Sequence, residues 1–163
     1  MWTAERSCCS DDPAGRLCVA IEMLHPITGL PTGTEIDELL TAHQAQEDWC
    51  VMTVSLEGFQ AFDGDVFSAR KVLRFVAYLL TDVVEELGGP TDWVAHRGGD
   101  EFVIATQREY ANRIRDRLQH RFDEEKLGFY DPLDWSRGFT EVEQSGGGTW
   151  RVPIMRINFA LLP

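Results

Sequence analysis

Trp93-Val-Ala-His-Arg-Gly-Gly-Asp-Glu-Phe-Val-Ile-Ala105 consists of two short β-prone runs on either side of Arg97-Gly98-Gly99-Asp100-Glu101. Two adjacent glycines supply the positive φ angles that a tight reversal needs, so the segment predicts an antiparallel hairpin with an acidic tip. Working outward, Cys50-Val-Met-Thr-Val-Ser-Leu-Glu57 is another β-rich run, and its period of two places Thr53, Ser55 and Glu57 on one face. Between these strands, Val72, Leu73, Val76, Leu79, Leu80, Val83, Val84 and Leu87 follow a 3.6 period that Gly88-Gly89-Pro90 stops, which predicts a long helix over 66–87. A second helix is expected at about 34–47, where Ile36, Leu39 and Leu40 share a face. A third is expected at about 107–124, with Ile114, Leu118 and Phe122 at intervals of four and a reciprocal capping pattern in Thr106-Gln-Arg-Glu109. The stretch 126–149, with Pro132 and Gly146-Gly-Gly148, reads as a loop insertion before a last strand over Arg151–Leu162, which alternates and ends in apolar residues. Helices alternating with strands, one hairpin among them, give an α/β (α+β) class with a mainly antiparallel central sheet flanked by helices.

Size and charge narrow the partners. A chain of 163 residues with 44% hydrophobic content suffices for one core, so residues 21–163 are read as one domain and 1–20, without a clear period, as an N-terminal arm or linker. The 27 acidic against 15 basic side chains leave a net charge of −12, which repels phosphate backbones and anionic headgroups; nucleic acid and membrane are not expected partners. With no apolar run near the roughly 20 residues of a membrane span and no basic-then-apolar leader, the expectation is a cytoplasmic protein. Cys8, Cys9, Cys18 and Cys50 lack C-x-x-C spacing and read as buried or idle thiols.

Gly98-Gly-Asp-Glu-Phe102 would arise by chance about once in ten thousand chains of this length, and two further blocks accompany it in order. His25-Pro-Ile-Thr-Gly-Leu-Pro-Thr-Gly33 matches the middle of an Asp-x-Leu-Thr-Gly-Leu-x-Asn-Arg pattern, and Leu56 and Phe59 with the helix after them lie about forty residues before the loop. On these blocks the chain resembles the GGDEF domains, the modules of diguanylate cyclases, over about residues 23–160. Phe129-Tyr-Asp-Pro-Leu-Asp-Trp-Ser-Arg-Gly138 resembles an aromatic and acidic insertion found in a variant branch. The resemblance implies a GGDEF, nucleotidyl-cyclase-like palm fold.

It also implies a chemistry. Diguanylate cyclases join two GTP molecules into cyclic di-GMP across a symmetric dimer, by attack of a ribose 3′-hydroxyl on an α-phosphate, with Mg²⁺ or Mn²⁺ neutralising the phosphates. By resemblance Asp100 is a metal ligand, Glu101 is the catalytic acid, and Gly98 and Gly99 let the backbone approach the triphosphate. The family's first Asp on the central strand aligns with Ser55, a neutral and poor ligand for a hard cation, although Glu57 points the same way and is the candidate replacement metal ligand. The family's Lys aligns with Gln60, its guanine-reading Asn with Asp63 and a later guanine-contacting Asp with Val72. Asp63 retains acceptors for guanine N1 and N2, or else caps the following helix. Arg156 and Asn158 depart from the pattern of the last strand. The final helix and its phosphate-holding cations are missing before Pro163. Gly89-Pro-Thr-Asp92 replaces the Arg-x-x-Asp of product-inhibited members, so no inhibitory site is expected.

His96 and His25 stand where many members have Arg and Asp. They are either a pH-sensitive contact or, in the plainer reading, two unrelated histidines. Three functions compete: a degenerate, catalytically inactive signalling module acting through protein contacts, a receptor domain binding GTP or cyclic di-GMP, and a working diguanylate cyclase. Enzyme activity is uncertain and the balance leans against it. A protein partner, a fused sensory or receiver domain and a homodimer all suit such a module. A polymerase-type palm domain shares the two-metal logic but needs a second carboxylate where Ser55 stands.

Overall fold

A computed structural model describes residues 23–162; the expected N-terminal arm, with three of the cysteines, lies outside the described residues. Helix α1 (Thr34–Gln44) leads into strand β1 (Trp49–Glu57), the short helix α2 (Gln60–Asp63) and the long helix α3 (Val66–Leu87). Strands β2 (Trp93–Gly98) and β3 (Glu101–Gln107) form the hairpin, followed by α4 (Arg108–Glu125), a 3-10 turn (Lys126–Phe129), α5 (Pro132–Arg137), strands β4 (Phe139–Glu143) and β5 (Thr149–Pro153), and the last strand β6 (Arg156–Leu162).

The main sheet has the order β2-β3-β1-β6, every pair antiparallel. The period of two along β1 sorts its side chains as the sequence predicts. Met52, Val54 and Leu56 turn toward α3 and α4, joining Phe102, Ile104, Val76, Leu80, Ile114, Leu118 and Phe122 in the larger core cluster. On the opposite face α1 covers only one end of the sheet, where Ile36 and Leu40 pack on Val51, Ala95 and Val103. The other end of that face, which carries Ser55 and Glu57, has no helix packed on it among the described residues.

Helix α3 has the boundaries its periodicity predicts. Asp65 caps it by accepting the Phe67 and Ser68 amides, both at 3.2 Å, and eight apolar side chains from Val72 to Val84 are buried. Arg121 of α4 pairs with Asp82 of α3, tying the two core-facing helices together.

Three expectations are corrected. The reciprocal cap at 106–109 does not form: Thr106 is still in β3, fully buried, and its hydroxyl donates to Asp92 Oδ2 at 2.6 Å. Helix α4 starts without a side-chain cap from Gln107, and its Arg108 amide donates instead to the Asp48 carbonyl at 2.8 Å. The stretch 126–149 is not a plain loop either. Asp131 caps α5 by accepting the Leu133 and Asp134 amides, Pro132 opens the helix, and Gly138 closes it at φ 79. β4 and β5 then pair as a separate two-stranded sheet, so the strand expected over 151–162 is split: Arg151–Pro153 pair with β4, and only Arg156–Leu162 join the main sheet. Tyr130 pins this insertion to the core: its hydroxyl oxygen accepts the Met155 amide at 2.9 Å, and burial pushes its pKa up to about 12.

Candidate functional site

The hairpin tip lies at the sheet end that α1 leaves open. Gly98 and Gly99 have φ of 122 and 56, angles that a side chain at either position would resist, and no atom lies within 4 Å of where a Cβ would stand. The turn is therefore free to receive something close to its backbone. A register shift between His96 and Gly98 loosens the hairpin at this point.

Antiparallel pairing sets the residues beside the turn. Glu101 lies directly opposite Ser55, which lies opposite Asn158, so the three form a row across the sheet. One step further along β1, Glu57 lies opposite Arg156, and both are exposed. The position that the resemblance gives to a first metal carboxylate thus presents a hydroxyl between a carboxylate and an amide. The replacement acid Glu57 has a cation across from it. Glu101 is also engaged. Arg97 Nη1 lies 3.2 Å from its Oε1, while Arg97 Nη2 lies 3.0 Å from Oδ1 of Asp37 on α1.

Among the described residues no three of His, Cys, Asp or Glu are grouped so that they could hold a metal ion. Asp100, Glu101 and Glu57 gather at one end of the sheet without forming a divalent-cation site, which needs several oxygen ligands around one point. The geometry does not fit the metal that the resemblance implies, and no chemical step is derived through one.

Of the nucleotide-reading positions, Val72 is 0% exposed inside the core and can contact no ligand, whereas Gln60 and Asp63 are exposed on α2, which follows β1 after two residues. Asp63 does not cap α3; Asp65 does. Asp92 closes the turn directly before β2 and is buried there, its Oδ2 accepting from the Gly89 amide at 2.9 Å as well as from Thr106.

Sequence reasoning missed one feature and left a second open. The Asp37–Arg97–Glu101 link joins residues 60 positions apart, and only the 97/101 spacing was visible beforehand. His25 and His96, read more plainly as unrelated, are in ring contact with centroids 3.9 Å apart.

No family model matches the sequence, and no curated protein is significantly similar to it. Solved structures do match. The GGDEF domain of DgcB from Caulobacter crescentus, solved in complex with c-di-GMP, superposes with a TM-score of 0.55 at 16% identity, over 86% of this chain and 76% of that one. The diguanylate cyclase SiaD from Pseudomonas aeruginosa, solved with its activator SiaC, gives 0.54 at 17% identity over 88% of this chain and only 51% of that one, so this chain spans about half its length. The FimX GGDEF domain from Pseudomonas aeruginosa gives 0.52 at 17% identity over 85% and 79%. No helix among the described residues is long and apolar enough to cross a membrane. With its antiparallel sheet, flanking helices and glycine turn matched over more than four fifths of its length, the chain carries the fold of GGDEF domains.

Proposed function

We propose that this chain is a degenerate signalling module of the cyclic di-GMP type that makes no cyclic di-GMP and works through protein contacts. The observation that carries this reading is the row Glu101–Ser55–Asn158, in which the residue implied to be catalytic faces a hydroxyl and is ion-paired to Arg97. Phosphoryl transfer depends on positioned cations and metal-bound oxygens that stabilise charge in the transition state. Here two of the three acids at the sheet end have an arginine beside or across from them, Arg97 beside Glu101 and Arg156 across from Glu57. SiaD, solved with a protein activator, offers a precedent for a partner as the working ligand of such a domain.

One feature favours binding without turnover. The open turn at Gly98 and Gly99 leaves room for a phosphate, and Asp63 is exposed near the same end of the sheet. In that reading the chain is a receptor for GTP or cyclic di-GMP, with Mg²⁺ or Mn²⁺ entering only together with the nucleotide. A titration with GTP, its non-hydrolysable analogue and cyclic di-GMP, with and without Mg²⁺, separates the classes. Binding of none supports the protein-contact module. Saturable binding without product makes the chain a receptor, and product formation makes it a cyclase.

A further inference from the structure

The loop before α1 is a folded unit clipped to the edge of β2. It closes on itself through His25 N–H to Leu30 O and Gly29 N–H to His25 O, both 2.8 Å, and Thr32 N–H to Met23 O at 3.0 Å. It grips β2 where the His96 amide donates to Pro31 O at 2.9 Å and the Thr32 hydroxyl donates to His96 O at 2.7 Å. Arg74 of α3 holds it from the side, donating from Nε to Ile27 O at 3.2 Å.

His96 stands between this loop and the signature turn, with no exposed surface. Its ring stacks on Phe102 at 4.3 Å and 12°, and His25 lies against it at 3.9 Å and 44°. Nε2 is 2.9 Å from the Gly99 carbonyl, which only accepts, so Nε2 carries a hydrogen. Nδ1 is 3.2 Å from the Thr28 hydroxyl, which can donate to it. One neutral tautomer therefore satisfies both nitrogens. In His25, Nδ1 accepts the Ile27 amide at 3.3 Å, so its hydrogen belongs on Nε2.

We propose that His96 is the positioning residue of the 98–101 turn, that its neutral form ties the turn to the 23–33 loop, and that protonation of the His25–His96 pair releases it. A second proton on His96 would turn Nδ1 from acceptor to donor, so the Thr28 hydroxyl would have to swing its own hydrogen away and accept from Nδ1 as well as from the Leu30 amide at 3.4 Å. It would also place a cation where no water reaches, 3.9 Å from a ring that cannot then be charged without repulsion. The groups facing the pair are few. Against burial, the Gly99 carbonyl and then Asp100 of the turn favour a charge on His96, and His25 of the loop opposes it; Phe102 of β3 is neutral, and Arg74 of α3 adds positive charge at the Ile27 carbonyl. Arg97 is engaged with Asp37 and Glu101. Burial holds both imidazoles below their ordinary value.

The sign follows from linkage. A histidine whose folded pKa is depressed binds fewer protons folded than unfolded, so its stabilisation is complete above the unfolded value near 6.5 and is lost as pH falls toward the lower folded value.

The test needs no nucleotide and does not depend on the functional reading above. In ¹⁵N-labelled protein, the His96 ring should show the Nε2–H tautomer at pH 7.5. On acidification to pH 5, the amide signals of Gly98, Gly99 and Asp100 should move together with ring protonation, while those of Leu79 and Leu80, buried in α3, stay in place. In H96Q, whose side chain keeps one N–H donor but cannot titrate, the turn should hold its neutral-pH signals and lose the pH response. A turn that shifts equally with pH in H96Q overturns the proposal. So does a wild-type His96 that titrates while the turn stays still, a reading available even if H96Q fails to fold.

Discussion

Asp92 is 6% exposed, and its Oδ2 accepts both the Gly89 amide and the Thr106 hydroxyl, joining the end of α3 to the β3–α4 junction. Gly88 belongs to the same arrangement, since a Cβ there would lie 2.4 Å from that oxygen. D92A removes the acceptor of the buried Thr106 hydroxyl, at about 1–3 kcal/mol, and of the part-buried Gly89 amide, and urea denaturation should show a loss of at least about 1 kcal/mol; an unchanged midpoint would mean that other partners take over both donors. The same contact explains why the capping pattern at 106–109 misled. A cap needs the Thr106 hydroxyl oxygen to accept an amide of the first helical turn, but Thr106 is still paired in β3 with its side chain buried against Asp92, and no side-chain cap forms at the start of α4. Site residues were legible where adjacency in sequence fixes adjacency in space, as in Gly98 to Glu101. Their neighbours were less so: Arg97 to Asp37 was not foreseen and His96 to His25 was one of two readings, since the docking of α1 and the 23–33 loop creates both contacts.

Among the elements, α3 shows why a long amphipathic helix is readable from sequence. Over 22 residues the 3.6 period repeats often enough to leave one solution, and an Asp cap and a Gly-Gly-Pro stop mark its ends. Leu80 is fully buried on its inner face, and L80A should cost roughly 2–5 kcal/mol as a cavity substitution. Tyr78, 62% exposed on the same helix, serves as the control: Y78A should change stability by less than about 0.5 kcal/mol. Equal losses at the two positions would show that the helix face is assigned wrongly. The insertion between α4 and β6 was opaque for the opposite reason. α5 has six residues and β4 and β5 have five each, too few for either period to register. Yet Asp131-Pro132 and Gly138 carry the start and stop signals that a reading by punctuation alone would have caught.

For the molecule as a whole, the decisive question is whether its open sheet end can gather and transform an anionic nucleotide. A net charge of −12 opposes the approach of GTP, so the site itself must supply the cations. Arg97 is divided between Asp37 and Glu101, Arg156 faces Glu57, and Gln60 stands where the resemblance calls for a lysine. Ser55 stands where the resemblance calls for the first metal carboxylate, and Val72 is turned into the core. Each of these departures removes an interaction that would strengthen in the transition state, where a single electrostatic donor is often worth about 3 kcal/mol. Their combined effect exceeds what one substitution repairs. Incubated with GTP and Mg²⁺ or Mn²⁺, the chain should form little or no cyclic di-GMP by chromatography, and S55D, which restores a carboxylate opposite Glu101, should not bring it back. Robust turnover in the unmodified chain that E57A abolishes would make Glu57 the metal ligand, with Arg156 swinging clear of it, and would turn the proposed module into a cyclase.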